Sequence, residues 1–432
     1  MSLTGKPVLW LTAVLALLSP LVAVVLWDRV RGSKWQQVVG RLALLGLGET
    51  AALVFAFVAL NDYAGFVDSW SQAYHFVTGA FGHEKISASD SATSDQPDPA
   101  VSANPSAYAD RDFRLGSQQA PAPDGRIWRI LGDTPPDKWV DTGVTAVNTF
   151  TSGPLSQKLY IYLPPQYFGP NGRKDLPILE AFTSFPGPTD YLVSKVHLVD
   201  AVLAGIKSGE ITPMVVLMMR PDAAGPVNTA CTDVPNGPQT LSFYSKALPT
   251  EVRHYFGLNT APGMTVGYSG GGYCAAKISL TDPADFPAAA EMAGTFHPPT
   301  DASTQGTFND PTVRNQNDLG WRLQNQPLPN ASLLLTSGRD DNRTSMGHPV
   351  AEQWAKLIHS PMTSEQLVLD GNGHDFAAFE RQLPYDLSWL SSRLPGSTVH
   401  LAPVPAESSV LPGSNGPAPS ALEENRRRVV PA

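Results

Sequence analysis

The chain has 432 residues, enough for one large domain with appendages. Hydrophobic residues make up 42% and charged residues 16%, so a globular core is joined to something unusually apolar. A formal charge of −9 excludes a nucleic-acid partner, because phosphate binding needs a basic surface. The two cysteines, Cys231 and Cys274, stand in no metal-type spacing, and neither a metal ion nor an organic cofactor is expected.

Val8 to Trp27 carries no charge and is long enough to cross a hydrocarbon layer of about 30 Å. Residues 43–60 form a second apolar run whose one acid is Glu49, read as a tolerated polar residue near one face of the bilayer. Together they predict a membrane anchor over residues 1–83, with two transmembrane helices at about 8–27 and 43–60. A cleaved signal peptide fits worse, because no small-x-small site follows the first run and the second comes at once. The connection between them holds Arg29, Arg31, Lys34 and Arg41 against Asp28, whereas no Lys or Arg follows the second run until Lys85. Basic residues at span ends stay on the cytoplasmic side. The expectation is a multi-pass protein of the cell membrane, partnered by the bilayer, with both flanks extracytoplasmic.

Residues 84–125 turn to Ser, Asp, Ala, Pro and Gln, and residues 397–432 have a similar polar, Pro-rich composition. Such segments bury too little apolar surface to offset their ordering entropy, and both read as disordered: a linker and a tail. Between them, residues 126–396 alternate short apolar runs with helix-like stretches. Leu159–Leu163, Ile178–Phe182, Met214–Met219, Met264–Val266, Leu333–Thr336 and Gln366–Leu369 read as strands. Leu248, Val252 and Tyr255 share one helical face; Val350, Trp354, Leu357 and Ile358 line another. Alternating strands and helices, several strands apolar on both faces, predict a three-layer α/β domain with a mostly parallel sheet.

Within it, Gly267-Tyr268-Ser269-Gly270-Gly271 sits between the strand of Met264–Val266 and a helix. Glycines opening a helix cost about 1 kcal/mol each relative to Ala, so a purely structural helix has no use for three in a row. A nucleophile elbow does: strand and helix come so close that Cβ atoms at Gly267 and Gly271 have no room. A serine hydroxyl needs a base, and the base an acid to orient it. The stretch LLLTSGRDD supplies Asp340 and Asp341 after a strand, and LVLDGNGHDF presents His374 after the next. His297, in the loop after Ala288–Met292, is the rival base.

These motifs resemble the esterase D group of α/β-hydrolases, which includes the mycolyltransferase antigens of mycobacterial cell envelopes. LYIYLPPQY is similar to the family's entry strand, TPMVVLMMRP to its central strand, GYSGGGYCAA to its elbow and GNGHDFAAF to its histidine segment. The resemblance runs from roughly Val147 to Leu394. It implies Ser269 as nucleophile, His374 as general acid/base and an acid third after a glycine, which is Asp341 after Gly338, with Asp340 as the alternative. It also implies an oxyanion hole from the amides of Gly270 and Phe185, with Ser184 as a further possibility. TSFPG here stands where the family has HGFPG. Cys231 and Cys274, on neighbouring connections of such a sheet, are expected to pair in an oxidising compartment.

The reading is therefore an α/β-hydrolase fold behind two transmembrane helices. The expected function is that of a serine esterase or acyltransferase acting on acyl esters, among them envelope lipids or glycolipids. The alternative is a catalytically silent hydrolase-fold protein with a binding or structural role in the envelope.

Overall fold

The computed structural model describes residues 6–64, 115–121, 127–168, 172–185, 187–225, 227–259, 262–341, 347–371 and 373–412. They fall into two compact units, Met1–His83 and Glu84–Ala432.

The first unit is a helical hairpin of α1 (Lys6–Trp27) and α2 (Lys34–Ala64). Both helices are long and apolar enough to cross a membrane. Trp10, Leu17, Val24, Leu42 and Leu53 are exposed. The second helix begins earlier than the run at 43–60 suggested, so part of the basic connection is helical. Ser33 and Gln36 explain this as a capping pair. The Ser33 amide donates to Gln36 Oε1 at 2.8 Å and the Gln36 amide to Ser33 Oγ at 3.4 Å.

In the second unit, the described residues hold eleven strands in one sheet. They are β1 (Leu115–Pro121), β2 (Ile127–Leu131), β3 (Val144–Ser152), β4 (Leu155–Leu163), β5 (Ile178–Phe182) and β6 (Val215–Met219). There follow β7 (Met264–Tyr268), β8 (Ala288–Met292), β9 (Ser332–Gly338), β10 (Thr363–Leu369) and β11 (Ser408–Pro412). The order across the sheet is β1-β2-β3-β4-β6-β5-β7-β8-β9-β10-β11. From β6 to β10 every neighbouring pair is parallel; the strands beyond them at each edge pair antiparallel.

The longer helices are α3 (Leu198–Ser208), α4 (Leu248–Phe256), α5 (Gly270–Thr281), α6 (Pro311–Asn317), α7 (Leu319–Asn325), α8 (His348–Leu357) and α9 (Phe376–Ser392). Alternation along the strands sorts them into two layers. Leu179, Ala181, Val216 and Val266 share a core with Val202 of α3 and with Leu383 and Trp389 of α9. Ile178, Phe182, Val215 and Leu217 pack with Val252 and Tyr255 of α4 and Ile278 of α5. Trp354 of α8 joins Leu333 and Leu335 of β9 in a third cluster. The fold is thus a three-layer, mostly parallel α/β sandwich.

Two boundaries need correction. The polar stretch read as linker through residue 125 includes β1, whose backbone pairs antiparallel with β2. The tail expected from residue 397 includes β11, which pairs with β10 from Leu369↔Ser408 to Glu365↔Pro412. Ala402 is also buried, its amide donating to Ser388 Oγ at 2.9 Å. In both places main-chain ladder bonds to an existing sheet edge order the segment, a gain that side-chain composition does not register. Residues 84–114 and 122–125 of the linker and 413–432 of the tail lie outside the described residues.

Candidate active site

The elbow is built by close approach. Ser269 follows β7 directly and caps α5 with φ 55° and ψ −123°, a conformation that costs a non-glycine residue about 1–3 kcal/mol. Its amide donates to the Met292 carbonyl at 3.0 Å, tying the turn to the end of β8. A Cβ at Gly267 would fall on the Gly271 carbonyl, and one at Gly271 on the carbonyls of Phe182 and Thr183. Glycine at both positions lets the start of α5 pass over β7 and touch the end of β5. Ser269 itself is half-buried.

That second contact brings in the loop after β5. A Cβ at Gly270 would stand 3.5 Å from the Phe185 nitrogen and 3.6 Å from Ser184 Oγ. The two amides implied as oxyanion donors are therefore neighbours. The loop is closed on itself: Gly187 N–H donates to the Ser184 carbonyl at 2.7 Å, and Thr183 Oγ1 donates to the Gly187 carbonyl at 3.0 Å. Thr183 N–H donates to the Met219 carbonyl at 2.9 Å, anchoring its root to β6. The histidine and glycine missing from this loop are replaced by a threonine that ties the turn and a serine beside Gly270.

The acid and base candidates leave β9 and β10, which are adjacent and parallel. Asp341 is 2% exposed, whereas Asp340 is exposed. The Asp340 amide donates to the Gly371 carbonyl at 3.0 Å and the Asp341 amide to the Gly338 carbonyl at 3.1 Å. Gly373, with φ 66°, rests against Gly338, where a Cβ would stand 2.6 Å from its Cα. The loop carrying His374 thus lies on the turn carrying the acids. Asp375 then caps α9, its Oδ1 accepting the Ala378 amide at 2.8 Å. The His374 ring meets Phe379 edge-on at 5.5 Å, and Phe379 is stacked at 4.9 Å on Tyr268, the residue before Ser269. Phe379 escaped the sequence reading as a site residue, although the aromatic spacing in HDFAAF was its signal.

His297 is engaged elsewhere. Its Nδ1 lies 2.6 Å from Asp318 Oδ2, a bond that raises the imidazole pKa. It lines a cavity of about 510 Å³ between α7 and α8 with Trp321 and Trp354. Cys231 and Cys274 are joined by a disulfide with Cα atoms 5.4 Å apart, pinning the loop after β6 to α5. Beside it the buried Lys277 ammonium donates to Thr232 Oγ1 at 2.6 Å, burial lowering its pKa.

A serine on a strained strand-to-helix turn, at the carboxyl edge of this sheet, defines an α/β-hydrolase. The family model described as "Putative esterase" matches residues 155–390, and the chain belongs to that esterase family. No curated protein matches the chain. Similar solved structures include an S-formylglutathione hydrolase from Agrobacterium tumefaciens, at 16% identity and a TM-score of 0.48 over 59% of this chain and 96% of that one. A ferulic acid esterase is similar at 18% identity and a TM-score of 0.47, over 57% and 97%. The S-formylglutathione hydrolase of Staphylococcus aureus is similar at 17% identity and a TM-score of 0.44, over 57% and 98%.

Proposed function

We propose that the chain is a membrane-anchored serine esterase or acyltransferase in which Ser269, Asp341 and His374 form the catalytic triad. The observation that carries this reading is the strained φ of Ser269 at a turn where Gly270 adjoins the Phe185 amide. In the mechanism, His374 takes the Ser269 proton as Oγ attacks the acyl carbon. The Gly270 and Phe185 amides receive the developing oxyanion, worth about 3 kcal/mol of barrier per donor. Protonated His374, oriented by Asp341, gives its proton to the leaving alkoxide. Water, or the hydroxyl of a second alcohol, then attacks the acyl-enzyme by the same route in reverse. An acyl ester of an envelope lipid or glycolipid suits an enzyme tethered by α1 and α2 at a membrane surface.

The Cys231–Cys274 disulfide supports an extracytoplasmic domain, since such bonds persist in oxidising compartments. The test is labelling with a fluorophosphonate probe. Wild type is expected to take the label and Ser269→Ala to lose it, together with about 10⁴-fold or more of p-nitrophenyl ester turnover. A folded Ser269→Ala protein that still turns over ester removes Ser269 from the role.

A further inference from the structure

Glu291 lies at the penultimate position of β8 and is fully buried. A carboxyl in mid-sheet is costly unless something is gained from it. Across the ladder it is level with Gly267 of the elbow on one side and Leu335 on the other. Its Oε1 accepts the amide of Gly294, three residues on, where the chain has just turned out of β8. This turn is strained: Ala293 has φ 45°. The Ala293 amide donates to Thr336 Oγ1 at 3.1 Å, and that hydroxyl donates to the Glu291 carbonyl at 3.0 Å. A small closed network thus fixes residues 291–294.

The elbow stands on this corner in two places. The Ser269 amide donates to the Met292 carbonyl, inside the fixed segment. A Cβ at Gly272 would stand 3.1 Å from Gly294 Cα and 3.3 Å from Glu291 Cγ, so the first turn of α5 rests on both.

We propose that Glu291 is a positioning residue for the nucleophile: by holding the Gly294 amide it fixes the corner that sets the height and angle of Ser269. The inference rests on the reading of Ser269 as nucleophile. Glu291 touches neither substrate nor reacting atoms and acts through the Ser269 backbone. Burial raises the Glu291 pKa, a backbone hydrogen bond from Thr336 opposing it and the enclosed Asp386 of α9 adding to it.

Glu291→Gln keeps a carbonyl oxygen for the Gly294 amide; Glu291→Leu keeps the bulk and removes the acceptor. Both are made in the full chain and read by kcat and KM for a p-nitrophenyl ester and by the rate of fluorophosphonate labelling. Glu291→Leu is expected to lose about 10-fold or more in kcat and labelling rate with KM within about 2-fold, while Glu291→Gln stays within about 3-fold of wild type. A folded Glu291→Leu protein labelled at the wild-type rate overturns the proposal, as does a Glu291→Gln protein as slow as Glu291→Leu. If Glu291→Leu does not fold, Glu291→Met, which also lacks the acceptor, is read by the same kcat, KM and labelling rate with the same two outcomes. A wild-type chain that takes no label overturns the reading of Ser269 instead, which separates the two failures.

Discussion

Tyr268 lies stacked on Phe379, with ring centroids 4.9 Å apart and planes at 23°. Because the same Phe379 meets His374 edge-on, one ring bridges the residue before the candidate nucleophile and the candidate base. The ring thereby links the end of β7 to the His374 loop, which leaves β10 three places away in the sheet.

Removing that bridge has two effects. Phe379 is 3% exposed, so Phe379→Ala is expected to cost about 3–5 kcal/mol of stability by denaturant unfolding. Phe379→Leu fills much of the space yet lacks the flat face, and is expected to keep most of the stability while kcat falls. Unchanged kcat in Phe379→Leu would separate the ring from the alignment of His374.

Asp341 and Asp340 differ in burial more than in sequence. A buried carboxylate keeps its orienting bond to an imidazole undiluted by water, whereas an exposed one does not. Asp341→Asn is therefore expected to lower kcat by about 10³–10⁴-fold and Asp340→Asn by less than about 3-fold. The opposite ranking in ester turnover would move the role to Asp340.

Asp222 carries a pH dependence of its own. It is 1% exposed, neither carboxyl oxygen has a hydrogen-bond partner among the described residues, and burial pushes its pKa up to about 7. An acid whose pKa is raised in the folded chain contributes full stability below its unfolded value and loses it as pH rises toward the folded one. Wild type is thus expected to weaken relative to Asp222→Asn between about pH 4 and pH 7, by roughly 4 kcal/mol at most. Denaturant midpoints of both proteins at pH 4.5 and pH 8 check this; a difference that does not grow with pH contradicts it.

The proposed membrane anchor and its orientation are testable on cells. Arg29, Arg31, Lys34 and Arg41 are expected to hold the hairpin turn in the cytoplasm. Protease added to intact cells should then release the second unit by cutting between His83 and β1. Release only after the membrane is permeabilised would reverse the topology.

What the sequence determined by itself was local in kind. Mostly apolar runs of three to six residues marked the central strands because a buried parallel strand is largely apolar on both faces. Ser269 was legible because only a close crossing of strand and helix explains glycine at 267 and 271, and the structure shows both positions closed to a Cβ. What only the tertiary structure decided depends on partners far along the chain. The polar stretches in β1 and β11 are ordered by main-chain pairing to edges that composition cannot reveal. Asp340 and Asp341 are adjacent and chemically identical, so burial alone distinguishes them. Phe379 and Glu291 gained their meaning from neighbours more than a hundred residues away and across a turn, respectively: Tyr268 beneath one ring, Gly294 against the other carboxyl. Side-chain identity sets what a residue is able to do, and packing sets what it is held against.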